Sequence, residues 1–398
     1  MEKINAKILQ NIFKIGIRLM PFKMPETLKG EGCVTKLPTA IKARGHKKIM
    51  VVTDRNLLNA GLLDNMLEAM EKADLQFVIY CGVHSNPTDK EVFAGLNLYE
   101  KSRCDALVAF GGGSPIDCCK GIAAVSANKG KTIEQLKGLS KVGKKTPEIF
   151  AVPTTAGTGS ETTITAVITE DTLHHKILIN DTSLIPKIAV LDSKLTETMT
   201  PELTAATGMD ALTHAVEAYT NRTYNTKTEN QAAEDAVFLI YNNLYKAYAC
   251  GHDKEARRAM QMAAFHAGRA FTKGCVGYVH AVGHTLSGLY GLHHGLVMAV
   301  ILPHVMRRFG SAAHERLARL AEVCDIKGGS DAEKAEKFIC WIEEMNYNME
   351  IPSGFTVIRD EDIPQIISWA EEEANPLYPT PVYWTKSDFR ELIDSIRL

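Results

Sequence analysis

The sequence predicts an α/β domain built on a parallel sheet, followed by an all-α domain. Two observations favour this fold class: the first half alternates short β-branched apolar segments with helical ones, and the second half carries only long helical patterns. With 398 residues, 45% of them hydrophobic, the chain is long enough for two domains. Because the alternation of strand and helix patterns ends near Thr200, we predict domains over residues 1–198 and 199–398.

Five apolar segments of the first half are predicted strands. Their β-branched content and short length are typical of strands buried on both faces. They cover residues 47–54, 75–83, 105–110, 148–153 and 187–192, and helices are predicted between them, including 56–73 and 88–102. Strands that alternate with helices imply parallel crossovers, and ligands of such sheets bind beyond the carboxyl ends of the strands.

The second half opens with a helix start. Thr200 is a suitable cap, and Pro201 suits the first helical position. Further helices are predicted over 229–249, 253–271, 311–325, 331–346 and 361–374. No segment there shows a convincing strand pattern.

The composition argues against several classes of function. Lys and Arg total 45 against 47 Asp and Glu, so no basic excess points to nucleic acid. No apolar run approaches the ~20 residues of a membrane span. The nine cysteines include no CxxC pair, as expected for reduced thiols in the cytoplasm.

The first twenty residues are basic and amphipathic. Isoleucines recur near helical spacing, with lysines beside them: Ile4, Ile8, Ile12 and Ile15, and Lys3, Lys7 and Lys14. One interpretation is a helix on a membrane surface. The interpretation we favour is a helix packed on its own protein or on a second subunit. Charges interrupt each candidate apolar core, which argues against a secretory signal.

A strand, a glycine loop and a helix follow one another in DALVAFGGGSPIDCCKGIAAV. The glycines at 111–113 allow a close approach of the backbone, Ser114 can cap the helix, and Pro115 suits its first position. The helix amides would then face an anion such as a pyrophosphate. An ordinary strand-to-helix turn is the alternative. The loop is not the Rossmann fingerprint, because Ile116 stands where a glycine is required.

Two further polar features follow predicted strands. Asp54 precedes the glycines, whereas a Rossmann acid lies ~20 residues after them. Its carboxylate can accept from a ribose 2′-OH and would repel a 2′-phosphate, which favours NAD over NADP; a helix cap is nearly as good an interpretation. The loop PTTAGTGSE (153–161) offers the hydroxyls of Thr154, Thr155, Thr158 and Ser160. It could hold a ribose or nicotinamide, or be a structural turn.

A metal site is indicated by one helix and by a histidine cluster. Asp210 and His214 lie four residues apart, hence on one helix face, among apolar neighbours. Four histidines fall within residues 280–294, among glycines and leucines, and His280 and His294 could supply two more nitrogens. One carboxylate and three imidazoles suit Fe(II) or Zn(II). The alternatives are a solvated Asp–His pair and hydrogen-bonded core histidines.

Together these segments resemble the iron-containing (group III) alcohol dehydrogenase family. The matching motifs stand in family order from about residue 27 over nearly the whole chain. They are VVTD (51–54), GVHSNPT (82–88), FGGGSPID followed by Lys120, PTTAGTGSE, GMDALTHAVEAY, and H-x3-H-x9-H over 280–294. The resemblance implies a dehydroquinate synthase-like fold, with a cofactor-binding α/β domain, a helical metal domain and a cleft between them. It also implies a homodimer.

The resemblance further implies roles for individual residues. The implied metal ligands are Asp210, His214, His280 and His294, and His284 is implied to lie close to the nicotinamide and substrate. The implied cofactor positions are Asp54, Asn86, Gly112, Gly113, Ser114, Asp117, Thr154, Thr155 and Lys176. Three features depart from the family pattern: Cys81 replaces an Asp, His293 replaces a common proline and adds a possible competing ligand, and the N-terminus is extended.

The expected activity is reversible hydride transfer between NAD(H) and a small primary alcohol or aldehyde. The metal would act as a Lewis acid, and His284 would relay a proton to solvent. One alternative is an NAD- and metal-dependent lyase of the same fold. It would need basic residues to hold a phosphorylated acid, for which Arg269, Lys273, Arg307 and Arg308 are candidates. The other alternative is a non-catalytic metal- or nucleotide-binding protein.

Overall fold

The computed structural model describes residues 2–20, 22–172 and 175–398, with the side chains of residues 2–5 and 19 outside that description. The chain divides into two compact units, one of Pro21–Met199 and one of Met1–Met20 with Thr200–Leu398. The division after Met199 lies one residue from the boundary drawn on the sequence. The first twenty residues, however, group with the C-terminal unit rather than with the α/β domain.

The first unit is built on a six-stranded parallel sheet. Its strands are β1 (Glu26–Lys29), β2 (Lys48–Val52), β3 (Gln76–Tyr80), β4 (Ala106–Gly111), β6 (Glu148–Pro153) and β9 (Ile188–Leu191), in the order β1-β9-β6-β4-β2-β3. Every neighbouring pair is parallel. The five predicted strands are therefore present, and β1 is an additional edge strand.

Alternation along the strands builds a core on each face of this sheet. Met50 and Val52 belong to one apolar cluster and Ile49 and Val51 to the other, as the two-residue period of a strand requires. The helices that cover the faces are α2 (Leu37–Ala43), α3 (Arg55–Asn59), α4 (Asp64–Lys72), α5 (Asp89–Ser102) and α6 (Gly113–Ala127). The single helix predicted over 56–73 is wrong, because Gly61 with φ of 69° separates α3 from α4.

The strand order reverses between β2 and β4. From β2 the chain adds β3 on one side, then crosses back and adds β4, β6 and β9 on the other. Such a switch point opens a crevice at the carboxyl ends of the two diverging strands, where ligands of α/β sheets bind. Asp54 follows β2 and Gly112 follows β4, so both lie at this crevice.

A second, three-stranded sheet was not predicted from the sequence. It consists of β5 (Gly138–Leu139), β7 (Thr165–Thr169) and β8 (Lys176–Asn180), in the order β5-β8-β7. β7 and β8 pair antiparallel, and their buried residues Ala166, Ile168, Ile177 and Ile179 join the core on the α6 face. The sequence pattern missed β5 because it has only two residues, and missed β7 and β8 because they alternate buried with partly exposed residues.

The second unit is helical, and its described residues contain no named strand. Its helices are α1 (Glu2–Leu19), α7 (Pro201–Thr220), α8 (Lys227–Ala249), α9 (Lys254–Gly274), α10 (Tyr278–Tyr290), α11 (His294–Phe309), α12 (Ser311–Val323), α13 (Asp331–Asn348), α14 (Ile363–Ala374) and α15 (Lys386–Ile396). Thr200 caps α7 through its side chain, as predicted. Helix α7 is buried from Thr204 to Thr220 and packs against α8, α9 and α11, so it is the central helix.

None of the helices among the described residues combines the length and apolarity needed to cross a bilayer. The N-terminal helix α1 forms as predicted, and Gln10 binds it to the unit by donating to the carbonyls of Pro376 and Tyr378 at 2.8 and 3.1 Å. The predicted positions of Lys3 and Ile4 on the helix cannot be compared, because their side chains lie outside the described part of the chain.

Candidate functional site

Three helices of the second unit bring one carboxylate and two imidazoles together. Asp210 lies in the middle of α7, His280 in the first turn of α10, and His294 is the first residue of α11. One ligand atom from each lies within 4.8 Å of the others. This is the only such group of three or more His, Cys, Asp or Glu side chains found among the described residues.

The spacing of these atoms suits a shared cation better than direct hydrogen bonds. From Asp210 Oδ1 the distances are 3.5 Å to His294 Nε2, 3.8 Å to His280 Nε2 and 3.9 Å to His214 Nδ1. Two atoms that bind a tetrahedral cation at ~2.1 Å lie roughly 3.4 Å apart. The three nitrogens lie 3.5–3.9 Å from Asp210 Oδ1, close to the separation expected between two ligand atoms of one cation.

His214 lies beside this group but outside the triad whose ligand atoms are all mutually close. Its ring stacks on His280, with centroids 4.5 Å apart, and on Phe271, with centroids 4.2 Å apart. It is buried, one turn after Asp210 on α7. The helical spacing thus puts His214 beside the group, with its ring packed flat against two neighbouring rings.

Asp210 Oδ1 and His280 Nε2 are buried at the site and make no hydrogen bond within the described part of the chain. Their side chains are each 2% exposed. Burial opposes ionisation of Asp210, but the attraction of His214 and His294 outweighs it and lowers the pKa of the carboxyl. A buried carboxylate without a hydrogen bond is costly, and a divalent cation would satisfy it. The residues present therefore fit a metal ion.

Glu217 orients His280, and sequence reasoning missed it. Its Oε2 lies 2.5 Å from His280 Nδ1, and its Oε1 accepts from the Val279 amide at 2.8 Å. Since a carboxylate only accepts, Nδ1 carries the proton and Nε2 faces Asp210. Burial lowers the pKa of His280, but the two carboxylates outweigh it and raise the pKa to about 9. The available sequence signal was an acid in GMDALTHAVEAY, one turn beyond His214.

Close packing of α11 on α7 makes this arrangement possible. A Cβ built on Gly295 would lie 2.1 Å from the carbonyl oxygen of Ala206 and 3.3 Å from Asp210 Cβ. Glycine at 295 therefore lets α11 approach the backbone of α7 directly beside His294. His293 precedes α11 and is not a member of the triad.

His284 lies next to the triad and is bound to a different acid. Its Nδ1 is 2.8 Å from Glu373 Oε1 on α14, and the Tyr378 hydroxyl donates to the same oxygen at 2.9 Å. Its ring stacks on His294, with centroids 5.2 Å apart. His284 thus lies beside the candidate metal ligands and at one end of a chain of hydrogen-bonded groups.

The sequence-predicted nucleotide residues of the first unit follow successive parallel strands. Asp54 follows β2, Asn86 follows β3, Gly112 follows β4, and Thr154 follows β6. All four therefore lie at the carboxyl edge of one sheet. Asn86 adopts φ of 57°, a left-handed conformation that Asn tolerates and that is often found in tight turns near ligands.

The glycine loop places backbone amides at this edge, although Ser114 does not cap the helix. Gly112 is the extended N-cap of α6 and makes no side-chain cap bond, so Ser114 is the second helical residue and Pro115 the third. The predictions of Ser114 as cap and Pro115 as first residue are therefore wrong, because Gly112 takes the cap position. Gly111 with φ of 148° makes the turn into it.

The glycine loop (residues 111–113) and the threonine loop (residues 153–161) are in contact. A Cβ on Gly113 would lie 2.7 Å from Thr158 Cγ2, and one on Gly112 would lie 3.1 Å from Thr155 Cγ2. The amide of Thr154 donates to the Gly111 carbonyl at 3.0 Å. The two loops that the sequence singled out separately thus form one continuous surface beside the switch point.

The helix-cap interpretation of Asp54 is confirmed. Its Oδ1 accepts from the Leu57 amide at 2.9 Å, at the start of α3. A carboxylate has lone pairs on both oxygens, so capping by one leaves the group able to accept from a ribose hydroxyl. The cap also fixes the orientation of the side chain.

Asp117 and Lys120, both on α6, hold the threonine loop in place through hydrogen bonds. Asp117 accepts from Ser160 Oγ at 2.7 Å and from the Val167 amide at 3.2 Å, and burial raises its pKa. The Lys120 ammonium donates to oxygens of Ser160, Thr163 and Thr165 at 2.7–3.1 Å. Both oxygens of Asp117 are therefore engaged within the protein. Lys176 begins β8 close by and is 7% exposed.

Comparison with known proteins covers both units. Residues 25–193 match the iron-containing alcohol dehydrogenase family, and residues 204–396 match the C-terminal region of the Fe-containing alcohol dehydrogenase family. The chain is 38% identical over 356 residues to the NAD-dependent methanol dehydrogenase of Bacillus methanolicus, covering 88% of this chain and 93% of that protein. It is also 38% identical over 359 residues to alcohol dehydrogenase 4 of Schizosaccharomyces pombe, covering 89% and 84%.

A solved structure shows the same architecture. The crystal structure of a 1,3-propanediol oxidoreductase superposes with a TM-score of 0.90 at 34% identity, over 95% of this chain and 99% of that one. Family matches to both units and relatives above 35% identity over most of the chain agree with the fold and with the motifs that carry the resemblance. The chain belongs to the iron-containing alcohol dehydrogenase family.

Proposed function

We propose that the protein is a metal-dependent oxidoreductase that reversibly transfers a hydride between NAD(H) and a small primary alcohol or aldehyde. The observation that carries the proposal is the convergence of Asp210, His280 and His294 on one buried point. It is supported by relatives whose names state NAD-dependent methanol dehydrogenase and 1,3-propanediol oxidoreductase activities.

Asp210, His214, His280 and His294 would hold the metal, which we propose to be Fe(II), with Zn(II) compatible with the same donors. A divalent cation bound there supplies Lewis-acid chemistry toward the substrate oxygen. Glu217 keeps the proton on His280 Nδ1 and so presents Nε2 as a ligand. Asp210, His214 and His280 are almost fully buried, which keeps these three donors from bulk water.

His284 is our proposed proton-transfer residue. It stacks on His294, and Glu373 holds its Nδ1 at 2.8 Å, which fixes the orientation of the imidazole for proton exchange. An imidazole suits this task because its ordinary pKa lies near neutrality. Tyr378 donates to Glu373 and fixes the orientation of that carboxylate.

NAD is the proposed hydride carrier, and the sheet edge of the first unit is its proposed binding surface. The free amides at the start of α6 would bind the pyrophosphate. Asp54 would accept from the ribose 2′-OH, which favours NAD over NADP. Thr154, Thr155 and Thr158 belong to the adjoining loop. Asn86 follows β3, and Lys176 begins β8.

The lyase alternative receives less support from the structure. Three of the four basic residues that could hold a phosphorylated acid are paired: Lys273 with Glu229, Arg307 with Glu336 and Glu343, and Arg308 with Glu391. A lyase of this kind also recycles its cofactor, whereas the proposed enzyme releases NADH or NAD⁺ at each turnover. Net cofactor conversion therefore separates the two activities.

The test is anaerobic purification, metal analysis and NADH oxidation across a panel of small aldehydes. We expect bound divalent metal and turnover with at least one aldehyde, and loss of both in His214→Ala. A fully active His214→Ala protein that contains no metal would overturn the proposal. Absence of turnover with any aldehyde, despite bound metal and bound NAD, would favour a non-catalytic binder.

We also propose a cytoplasmic homodimer. The nine cysteines are free, which suits a reducing compartment. Light scattering on the purified protein tests the dimer.

A further inference from the structure

We propose that helix α1 binds the surface of an anionic phospholipid bilayer through its outward apolar face and the cations beside it. This inference concerns a surface that the proposed dehydrogenase reaction does not use. It rests on three observations: the inner face of α1 is already packed, the outer face is apolar and exposed, and the charged residues from position 3 to position 25 are all cationic.

The inner face of α1 is held by its own unit. Ala6 is 3% exposed, and Gln10 donates to two backbone carbonyls in the segment that follows α14. Phe13 and Ile17 continue the same face at helical spacing and are partly buried. Since this face is occupied, the fold fixes which side of the helix points outward.

The outer face is an exposed stripe of isoleucines. Ile8, Ile12 and Ile15 are 55%, 60% and 62% exposed, and Leu9 beside them is 41% exposed. Spacings of four and three residues put the isoleucines on one side of the helix. Of the ten large hydrophobic side chains that are exposed in the described part of the chain, four lie within these eight positions. Such a concentrated patch is typical of an interaction surface, whereas single exposed side chains are not.

The charges on α1 select an anionic partner. Residues 3–25 contain no Asp or Glu, and Lys7, Lys14 and Arg18 follow one another at spacings of seven and four residues along one flank of the isoleucine stripe. These three cations form no ion pair within the described ranges. A second copy of the chain packed antiparallel on the isoleucine stripe would bring the two cationic flanks to the same side, where they would repel each other.

A lipid surface satisfies both features at once. The isoleucines would enter the boundary between headgroups and acyl chains, while the long side chains of Lys and Arg reach the anionic headgroups. A helix that lies in the interface plane needs an apolar stripe and a cationic flank, and does not need the ~20 apolar residues of a span. The cytoplasmic leaflet, with its negative surface potential, is the membrane that a cytoplasmic enzyme would meet.

The experiment is co-sedimentation of the full-length protein with vesicles. One preparation contains phosphatidylcholine with phosphatidylglycerol and the other phosphatidylcholine alone. We expect binding to the anionic vesicles that decreases with added salt, and much weaker binding to the neutral ones. Replacing Lys7, Lys14 and Arg18 with Gln should weaken binding on the order of 100-fold, at roughly fivefold per cation.

Two control variants make the result specific. Replacing Lys131, Lys144 and Lys145 with Gln removes the same charge from exposed sites outside α1. It should leave binding within about twofold, because the attraction of a cation to anionic lipids acts only close to the membrane surface. Replacing Ile8, Ile12 and Ile15 with Gln should abolish binding without changing the charge. Dehydrogenase activity of each variant, assayed without vesicles, should stay unchanged, so failure of this inference is separable from failure of the proposed reaction.

Several outcomes would overturn the inference. Sedimentation that is equal with neutral and anionic vesicles would exclude charge recognition. Equal loss of vesicle binding in the α1 cation variant and in the control lysine variant would show a general charge effect rather than a binding surface on α1. Absence of binding, together with a dimer that dissociates when the three isoleucines are replaced, would show that a second copy covers the stripe instead.

Discussion

His280 and Glu217 form a pair in which one imidazole nitrogen is fixed so that the other can bind a metal. Nδ1 lies 2.5 Å from Glu217 Oε2, and Nε2 lies 3.8 Å from Asp210 Oδ1. Both side chains are almost fully buried, and Glu217 is further fixed by the Val279 amide. The acid thus sets the tautomer and the orientation of His280, the proposed metal ligand.

Glu217→Gln should weaken metal binding roughly 10- to 100-fold, the usual cost of losing a carboxylate partner of a ligating histidine. The amide keeps the size of the side chain, so the fold should survive. The measurement is competition for metal with a calibrated chelator under anaerobic conditions. Glu234→Gln, an acid on α8 bound to Tyr219 and Arg319, is the matched control. Equal affinities for the two variants would contradict the role given to Glu217.

Gly295→Ala should displace α11 and release the metal. The added Cβ would lie 2.1 Å from the Ala206 carbonyl oxygen, a backbone atom that cannot rotate away. We expect a loss of about 1–3 kcal/mol in unfolding free energy, together with at least tenfold weaker metal binding. Gly16→Ala in α1, where no atom lies within 4 Å of the new Cβ, is the control. A Gly295→Ala protein with normal metal content would show that α11 does not set the site.

Gly113→Ala should raise the KM for NAD with little change in kcat. Its Cβ would lie 2.7 Å from Thr158 Cγ2 and would push the glycine and threonine loops apart. A tenfold increase in KM, about 1.4 kcal/mol, is the expected size. Steady-state kinetics at saturating aldehyde measure it, with Gly16→Ala again as control. An unchanged KM would show that the cofactor binds away from this contact.

Glu161→Gln should change how stability depends on pH. Burial raises the pKa of Glu161 from 4.5 to about 7, against the opposing charge of Lys120. Since the folded state then holds a proton that the unfolded state releases, stability should fall as pH rises from about 4.5 to 7. The amide cannot ionise, so the variant should gain up to about 3 kcal/mol relative to the parent across that window.

Urea unfolding of the parent and variant at several pH values checks this expectation. Glu344→Gln, an exposed acid on α13, provides the control for loss of one carboxylate. A stability difference between parent and Glu161→Gln that does not change with pH would contradict a neutral buried Glu161. Burial lowers the pKa of Lys120 to about 8. Its ionisation therefore affects the unfolding free energy only above the pH window in which Glu161 titrates.

Five strands of the main sheet were predictable because each is a continuous apolar segment, and four of them, β2, β4, β6 and β9, are buried on both faces. Asp210 and the histidines were predictable because imidazoles rarely occur together among glycines and leucines. Glu217 and Glu373 were not, since their partners His280 and His284 lie 63 and 89 residues away and only folding brings them together. Ser114 was misplaced because Gly112 can take the cap position in an extended conformation. The β7–β8 pair was missed because its strands alternate buried with partly exposed residues and do not form continuous buried apolar segments.

The central claim is that one carboxylate and three imidazoles from α7, α10 and α11 bind a single divalent cation on which turnover depends. Anaerobic metal analysis of the parent protein and of His280→Ala, with aldehyde reduction assayed on the same samples, tests it most directly. We predict about one metal ion per chain in the parent, and loss of both metal and turnover in His280→Ala, as removal of a ligand to the ion requires. A His280→Ala protein that keeps its metal and its activity would contradict the claim.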